Sequence, residues 1–107
     1  MDTEPEDRIR QLITVLEQIE HLLADHGERH WRGRLTRDIA AIKSHDAHGI
    51  ARFLSAYGGM GSFNDLWLCA ANGHRVGDSE AVSVNEKLSA LRSGAYILAK
   101  ELQRTIP

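Results

Sequence analysis

The stretch Gly58–Asp65 combines glycines, a hydroxyl, an amide and a carboxylate between two apolar segments. Phosphate-cradling loops use glycine amides and a hydroxyl to receive the anion, and this is the enzymatic interpretation of the stretch. A Walker A loop, however, carries Lys and then Ser or Thr after its last glycine, and a dinucleotide loop follows a strand. The glycines here follow a predicted helix. The candidate residues are Gly58, Gly59, Gly61, Ser62, Asn64 and Asp65.

A structural interpretation of the same stretch is therefore favoured. Gly58 is expected to cap the third helix, and Gly59 and Gly61 allow positive backbone dihedral angles. The polar side chains that follow are expected to satisfy backbone groups.

The six histidines raise the question of a metal site. His26 and His30 stand four apart, which puts two ligands on one helix face, but Gly27 between them is expected to end the first helix. No histidine pair has a Cys or His partner at a recognised spacing. We therefore expect neither a metal nor a cofactor.

His74 and Cys69 provide the remaining catalytic hypothesis. His74 follows the Asn72-Gly73 turn pair, so its ring can approach the Cys69 thiol. This reach alone is weak support, because an unpaired cysteine is usually a small buried apolar residue. A ligand-binding or hydrolytic site that joins Gly58–Asp65 to His74 stays open as the alternative function.

The only local basic cluster surrounds Trp31 in the second predicted helix. Trp31 is in helical register with Leu35 and Ile39, which makes it a core residue rather than a platform for a base. Glu28 and Asp38 dilute the positive charge, and nucleic-acid binding needs many unopposed cations. A protein partner with an acidic surface fits better. The candidate partner-binding residues are Arg29, Arg32, Arg34, Arg37, Tyr57 and Trp67.

Length and composition bound the class of protein. With 107 residues, 42% hydrophobic and 26% charged, the chain has room for one domain, residues 1–107. Its net charge of -2 gives no general attraction to nucleic acid or anionic membranes. No apolar run approaches the ~20 residues that span a bilayer. An acidic N-terminus and a single cysteine lead us to expect a cytoplasmic protein without internal disulfides.

Apolar residues at steps of three and four predict four helices. The first begins at a capping-box pattern, Thr3–Glu6, and ends at Gly27. The second covers about residues 28–44, and the third is capped by Asp46 and ends at the glycine-rich stretch. The fourth covers about residues 79–103. Its regular apolar seam fits either an intramolecular bundle or a homodimer contact, so the chain is a monomer or a homodimer.

The segment between the third and fourth helices predicts a small β-hairpin. Residues 65–69 are apolar and aromatic, Asn72-Gly73 is a turn pair, and residues 74–76 follow it. A short helix beginning at Ser62 is the alternative. The predicted fold class is mainly α, a small four-helix bundle-like domain with a short β-hairpin or irregular segment before the long C-terminal helix.

The chain also carries a family resemblance. The run GGMGSFNDL at residues 58–66, followed by Asn72–His74 and a long amphipathic helix, resembles a family of small uncharacterised bacterial domains with a GGMGSxND signature. The match covers about residues 47–103. Such domains look like the immunity or antitoxin proteins encoded beside bacterial toxins. The resemblance implies no catalytic residues and a protein that neutralises a cognate toxin enzyme by direct binding.

Overall fold

The structure, a computed structural model, describes residues 5–58 and 61–105. Four α-helices make up most of these residues. Their bounds are α1 Pro5–Asp25, α2 His30–Lys43, α3 Ala47–Leu54 and α4 Ala81–Thr105. The predicted mainly α class with four helices is confirmed. The predicted capping box begins at Thr3, which lies outside the described residues. None of the helices in the described ranges is long and apolar enough to cross a membrane.

Helices α1 and α4 form the most extensive contact of the fold. Steps of three and four place the apolar residues of each helix on one face, and both faces join the core. The fully buried residues of these helices are Leu12, Leu16, Ile19, Leu23, Leu88, Ala95, Ala99 and Leu102. Each buried leucine or isoleucine contributes about 2 kcal/mol of hydrophobic stabilisation. The seam of α4 therefore packs within the same chain, which favours the intramolecular interpretation of that seam.

Helices α2 and α3 lie against each other across a tight turn. Asp46 caps α3 as predicted, because its Oδ1 accepts a hydrogen bond from the His48 amide at 2.9 Å. This bond lowers the pKa of the Asp46 carboxyl. Gly49 allows the close approach of the helices, since a β-carbon at this position would lie 2.9 Å from the Ala41 β-carbon. The cap and Gly49 together fix α3 against α2.

Helix α3 ends at Leu54 rather than at the predicted Gly58. The chain continues in turns, in which the Tyr57 amide donates to the Leu54 carbonyl at 3.1 Å. Gly58 and Gly61 have φ angles of +91° and +76°, in the left-handed region that glycine enters without strain. The predicted positive dihedral angle is confirmed at Gly61, and Gly59 lies outside the described residues.

The connecting segment, residues 55–80, runs from α3 to α4. Its described part contains no strand and two short 3-10 turns, Phe63–Asp65 and Ala70–Asn72. The predicted hairpin is therefore not shown, and the irregular alternative describes this segment. The alternative prediction, a short helix beginning at Ser62, corresponds to the first of these turns, which is three residues long. The Asn72-Gly73 pair ends the second turn instead of joining two strands.

Side chains of α4 explain why no strand pairing forms here. The buried Asn85 accepts a hydrogen bond from the Leu68 amide at 2.7 Å and donates one to the Leu68 carbonyl at 2.9 Å. The Arg92 Nη1 donates to the carbonyls of Phe63 at 2.7 Å and Leu66 at 3.0 Å. Backbone groups of Leu66 and Leu68, which lie in the first predicted strand, are thus satisfied by α4 instead of by a second strand.

Candidate functional site

An open groove lies between the end of α3 and the middle of α4, and we call it the α3–α4 groove. Its volume of about 590 Å³ lies in the range of binding pockets. Its walls combine aromatic and aliphatic side chains with polar ones. The lining residues are Leu54, Tyr57, Gly58, Asn64, Ser89, Arg92, Ser93, Tyr96 and Ile97. Three residues singled out from the sequence, Tyr57, Gly58 and Asn64, are brought together here.

A row of aromatic rings leads from the core to this groove. The ring centroids of Trp31 and Phe63 are 5.2 Å apart, and those of Phe63 and Tyr57 are 5.7 Å apart. The ring centroids of Tyr57 and Tyr96 are 5.0 Å apart. Tyr96 is 38% exposed, and the neighbouring Ile97 is 57% exposed. Side chains already held by packing lose little conformational freedom when a partner covers them.

Tyr57 and Arg92 fix the floor of the groove. The Tyr57 hydroxyl donates to the Arg92 carbonyl at 2.9 Å, and burial raises the pKa of this hydroxyl, so it stays protonated. The Arg92 guanidinium carbon lies 5.7 Å from the Phe63 ring centroid. Burial lowers the pKa of Arg92, but an arginine keeps its charge at neutral pH. The floor is therefore rigid and carries one positive charge.

The glycine-rich stretch does not form an anion cradle in its described part. The Gly61 amide donates to Oδ2 of Asp65 at 2.7 Å, so the chain's own carboxylate already occupies this amide. The Ser62 hydroxyl oxygen is buried and has no hydrogen-bond partner among the described residues. Asn64 is exposed where it lines the groove. The Asp65 contact favours the structural interpretation over the phosphate-loop interpretation, whereas Ser62 does not satisfy a described backbone group as expected.

A second depression, the basic cleft, opens between the α1–α2 connection and the second 3-10 turn. Its volume is about 620 Å³. The lining residues are Ala24, Gly27, Glu28, Arg29, His30, Arg32, Asn72, Gly73, His74 and Arg75. Two predicted partner-binding residues, Arg29 and Arg32, lie here with His74. The groove and the cleft share no lining residue, so neither depression joins the described part of Gly58–Asp65 to His74.

The turn that carries His74 also orients its ring. The His74 Nδ1 accepts a hydrogen bond from the Cys69 amide at 3.2 Å, which places the proton of the neutral ring on Nε2. The Nε2 atom lies 3.9 Å from Oε1 of Glu28, too far for a hydrogen bond. The other Glu28 oxygen accepts from the Trp31 amide at 2.7 Å, at the start of α2. His74 therefore has no free basic nitrogen to activate the Cys69 thiol.

The remaining partner-binding candidates line neither depression. Arg34 donates to the Arg52 carbonyl at 3.2 Å and to the Ser55 hydroxyl at 2.9 Å, so it ties α2 to the end of α3. Arg37 and Trp67 are exposed. Their role in binding stays a prediction.

Asp38 is a buried carboxylate that the sequence interpretation used only as a charge that dilutes the basic cluster. It is 2% exposed, its Oδ1 lies 3.5 Å from Nε of Arg52, and its Oδ2 has no partner among the described residues. Burial raises the pKa of Asp38, and the charges of Arg34 and Arg52 oppose this shift. The signal was present, because Asp38 stands at helical spacing from Leu35 and Ile42 on the apolar face.

Sequence reasoning also did not find the α4 wall of the groove. Tyr96 and Ile97 stand beside Ala95 of the apolar seam, and their exposure marks them as groove residues. The available signal was two large apolar residues directly off a regular seam. Both are therefore added to the candidate binding residues.

The fold and its depressions define a small, mainly helical domain in which no three His, Cys, Asp or Glu side chains of the described ranges converge on a metal position. The chain belongs to the family DUF6966, a domain of unknown function, whose model matches residues 24–77, just over half of the chain. No curated protein matches the chain. No solved structure matches it. The matched range includes α2, α3 and every residue that lines the basic cleft, whereas the α4 wall of the α3–α4 groove lies outside it.

Proposed function

We propose that this chain is a partner-binding protein, and most concretely an immunity protein that neutralises a cognate toxin enzyme by direct binding. The observation that carries the proposal is the α3–α4 groove, where Tyr57, Arg92, Tyr96 and Ile97 stand together. Tyrosine and arginine are among the residue types that dominate binding energy at protein interfaces. The groove adds an exposed aliphatic residue beside them.

The groove suits an apolar segment of the partner that carries an acidic side chain. Tyr96 and Ile97 offer apolar area that a partner would remove from water. Arg92 is a cation on the floor, and Nζ of Lys100 lies 5.9 Å from the Tyr96 ring centroid. No carboxylate lines the described groove, so charge complementarity favours an acidic group on the partner.

A toxin enzyme is neutralised when a bound protein covers its active site. A stable interface of standard size buries about 1,600 Å² in total, more than a groove alone supplies. The groove is therefore the centre of the proposed contact, where the strongest anchors of interfaces lie. Exposed side chains around it form the rim.

The test uses the protein encoded by the neighbouring gene, co-expressed with the chain. We expect protection of bacterial growth and a complex that survives purification. Ile97→Asp places a carboxylate in the groove and is expected to abolish both. Val82→Asp is the matched control, because Val82 is 61% exposed on the same helix but does not line the groove. If the unmodified chain gives no protection and forms no complex, the proposal is overturned.

A further inference from the structure

The two walls of the basic cleft are fastened to each other. The Arg75 amide donates to the His26 carbonyl at 2.8 Å, and the His26 Nδ1 donates to the Arg75 carbonyl at 2.7 Å. The Arg75 guanidinium donates to the Ala24 carbonyl at 3.2 Å, near the end of α1. These bonds make the cleft a preformed depression, as small-molecule sites usually are.

His74 lines this cleft and supplies a free donor to it. Its side chain is 8% exposed, and its Nε2–H has no hydrogen-bond partner among the described residues. This Nε2–H therefore remains free to donate to a group that enters the cleft. The Glu28 side chain, 11% exposed, presents Oε1 at 3.9 Å from Nε2. A ligand hydroxyl can bridge this gap, because it accepts a hydrogen bond from His74 and donates one to Glu28.

The charge of the cleft favours an anion. Arg29, Arg32 and Arg75 line it against a single carboxylate, that of Glu28, in a chain whose net charge is -2. Arg29 directly precedes α2, and Arg32 lies in the first turn of this helix. The dipole of α2 therefore adds positive potential at the helix N-terminus, to which both arginines are attached. Guanidinium groups bind phosphate oxygens in a planar, paired geometry.

We infer that the basic cleft binds a small phosphate ester that also carries a hydroxyl group. The phosphate lies against Arg29 and Arg32, and the hydroxyl bridges Nε2 of His74 and Oε1 of Glu28. The volume of about 620 Å³ suits a sugar phosphate or a mononucleotide. Inorganic phosphate satisfies the arginines but leaves the gap between His74 and Glu28 unfilled.

Calorimetric titration of the full chain tests this site with ribose 5-phosphate as the probe. Inorganic phosphate and ribose are titrated at the same ionic strength. Ribose 5-phosphate should bind about tenfold or more tightly than inorganic phosphate, and ribose should give no measurable binding. Equal affinities for ribose 5-phosphate and inorganic phosphate would overturn the hydroxyl bridge. If neither anion binds, the proposal of an anion site in the basic cleft is overturned.

Matched arginine variants separate a specific site from general charge. Arg32→Gln should weaken ribose 5-phosphate binding about tenfold or more, because it removes a charged donor from the cleft. Arg37→Gln removes an exposed arginine of the same helix that does not line the cleft, and it should leave the affinity unchanged. Equal losses in the two variants would contradict the proposed site.

Two further variants complete the test. His74→Gln should reduce the preference for ribose 5-phosphate over inorganic phosphate, with circular dichroism to confirm the fold. If that variant does not fold, the arginine pair decides the outcome. Ile97→Asp lies in the groove and should bind ribose 5-phosphate as the unmodified chain does. Ligand binding in the cleft is therefore tested independently of the proposed protein contact in the groove.

Discussion

The α3–α4 groove and the basic cleft border two parts of one connecting segment, and their chemistry is opposite. The groove includes Tyr57 and Asn64 from the first part, whereas the cleft includes Asn72–Arg75 from a later part. The groove offers exposed apolar side chains above one cation, which suits a segment of a partner protein. The cleft offers arginines around a buried imidazole, which suits a small anion. The described part of this segment holds no strand and no long helix, yet it presents two kinds of surface, because neighbouring helices hold its parts in place.

The two regions differ in what holds them. The groove depends on α4, whose Arg92 bonds the Phe63 and Leu66 carbonyls and whose Tyr96 and Ile97 form its outer wall. The cleft depends on the hydrogen bonds between the α1–α2 connection and Arg75. Some substitutions should therefore disturb both the groove and the cleft, and others should disturb one of them and leave the other unchanged.

Asn85 is the residue whose loss should disturb both regions most. Asn85→Leu removes the bonds to the Leu68 amide and carbonyl and to the Ala81 carbonyl, and it leaves the buried Leu68 groups unpaired. We expect the free energy of unfolding to fall by about 3 kcal/mol, as measured by urea denaturation. Glu86→Ala, at the adjacent exposed position, is the control and should change it by less than about 0.5 kcal/mol. A loss below about 1 kcal/mol in Asn85→Leu would contradict this role.

Gly49→Ala should have the next largest effect and should separate the regions. The added methyl group would meet the Ala41 β-carbon at 2.9 Å, so we expect a loss of about 2 kcal/mol in unfolding free energy. Because α3 leads into the groove at Leu54 and not into the cleft, partner binding should weaken while ribose 5-phosphate binding persists. Gly33→Ala is the control, since a β-carbon there meets nothing within 4 Å, and it should stabilise the chain by up to about 1 kcal/mol. Equal effects of the two substitutions would show that the α2–α3 contact is not tight.

Asp38→Asn should leave both regions intact and change the stability by an amount that depends on pH. Burial raises the pKa of Asp38 in the folded chain, so the folded state binds a proton more readily than the unfolded state. The cost of the charged carboxylate is absent below the unfolded pKa and complete above the folded pKa. The variant should therefore be more stable by about 1 kcal/mol at neutral pH, and this gain should vanish in acid. Urea denaturation across the acidic range measures it, and a gain that does not change with pH would contradict this explanation.

The helices could be predicted from the sequence because their determinants are local. The periodic apolar seam of α4 and the Asp46 cap are each readable within a few residues, and both are found in the structure. The connecting segment could not be predicted in the same way. Its backbone partners, Asn85 and Arg92, lie 17 to 29 positions away along the chain from the groups they bond. The Asn72-Gly73 pair therefore suggested a hairpin where the chain forms a 3-10 turn.

The candidate sites were predictable only in part, for the same reason. Tyr57 and Asn64 could be singled out by residue type, but their meeting with Ile97 depends on how α4 packs. His74 was singled out as a candidate site residue, but the carboxylate that faces it, Glu28, comes from a distant part of the chain. Residue type identifies candidates, and long-range packing decides which of them share a surface.

The location of the protein contact is decided by measuring how tightly the neighbour-encoded protein binds two variants of the chain. Ile97→Asp alters the groove, and the double variant Arg29→Gln/Arg32→Gln alters the cleft. If the groove is the contact, Ile97→Asp weakens binding about a hundredfold or more, while the arginine double variant changes it by less than about threefold. Retained binding in Ile97→Asp together with a large loss in the double variant would contradict the groove and assign the contact to the basic cleft.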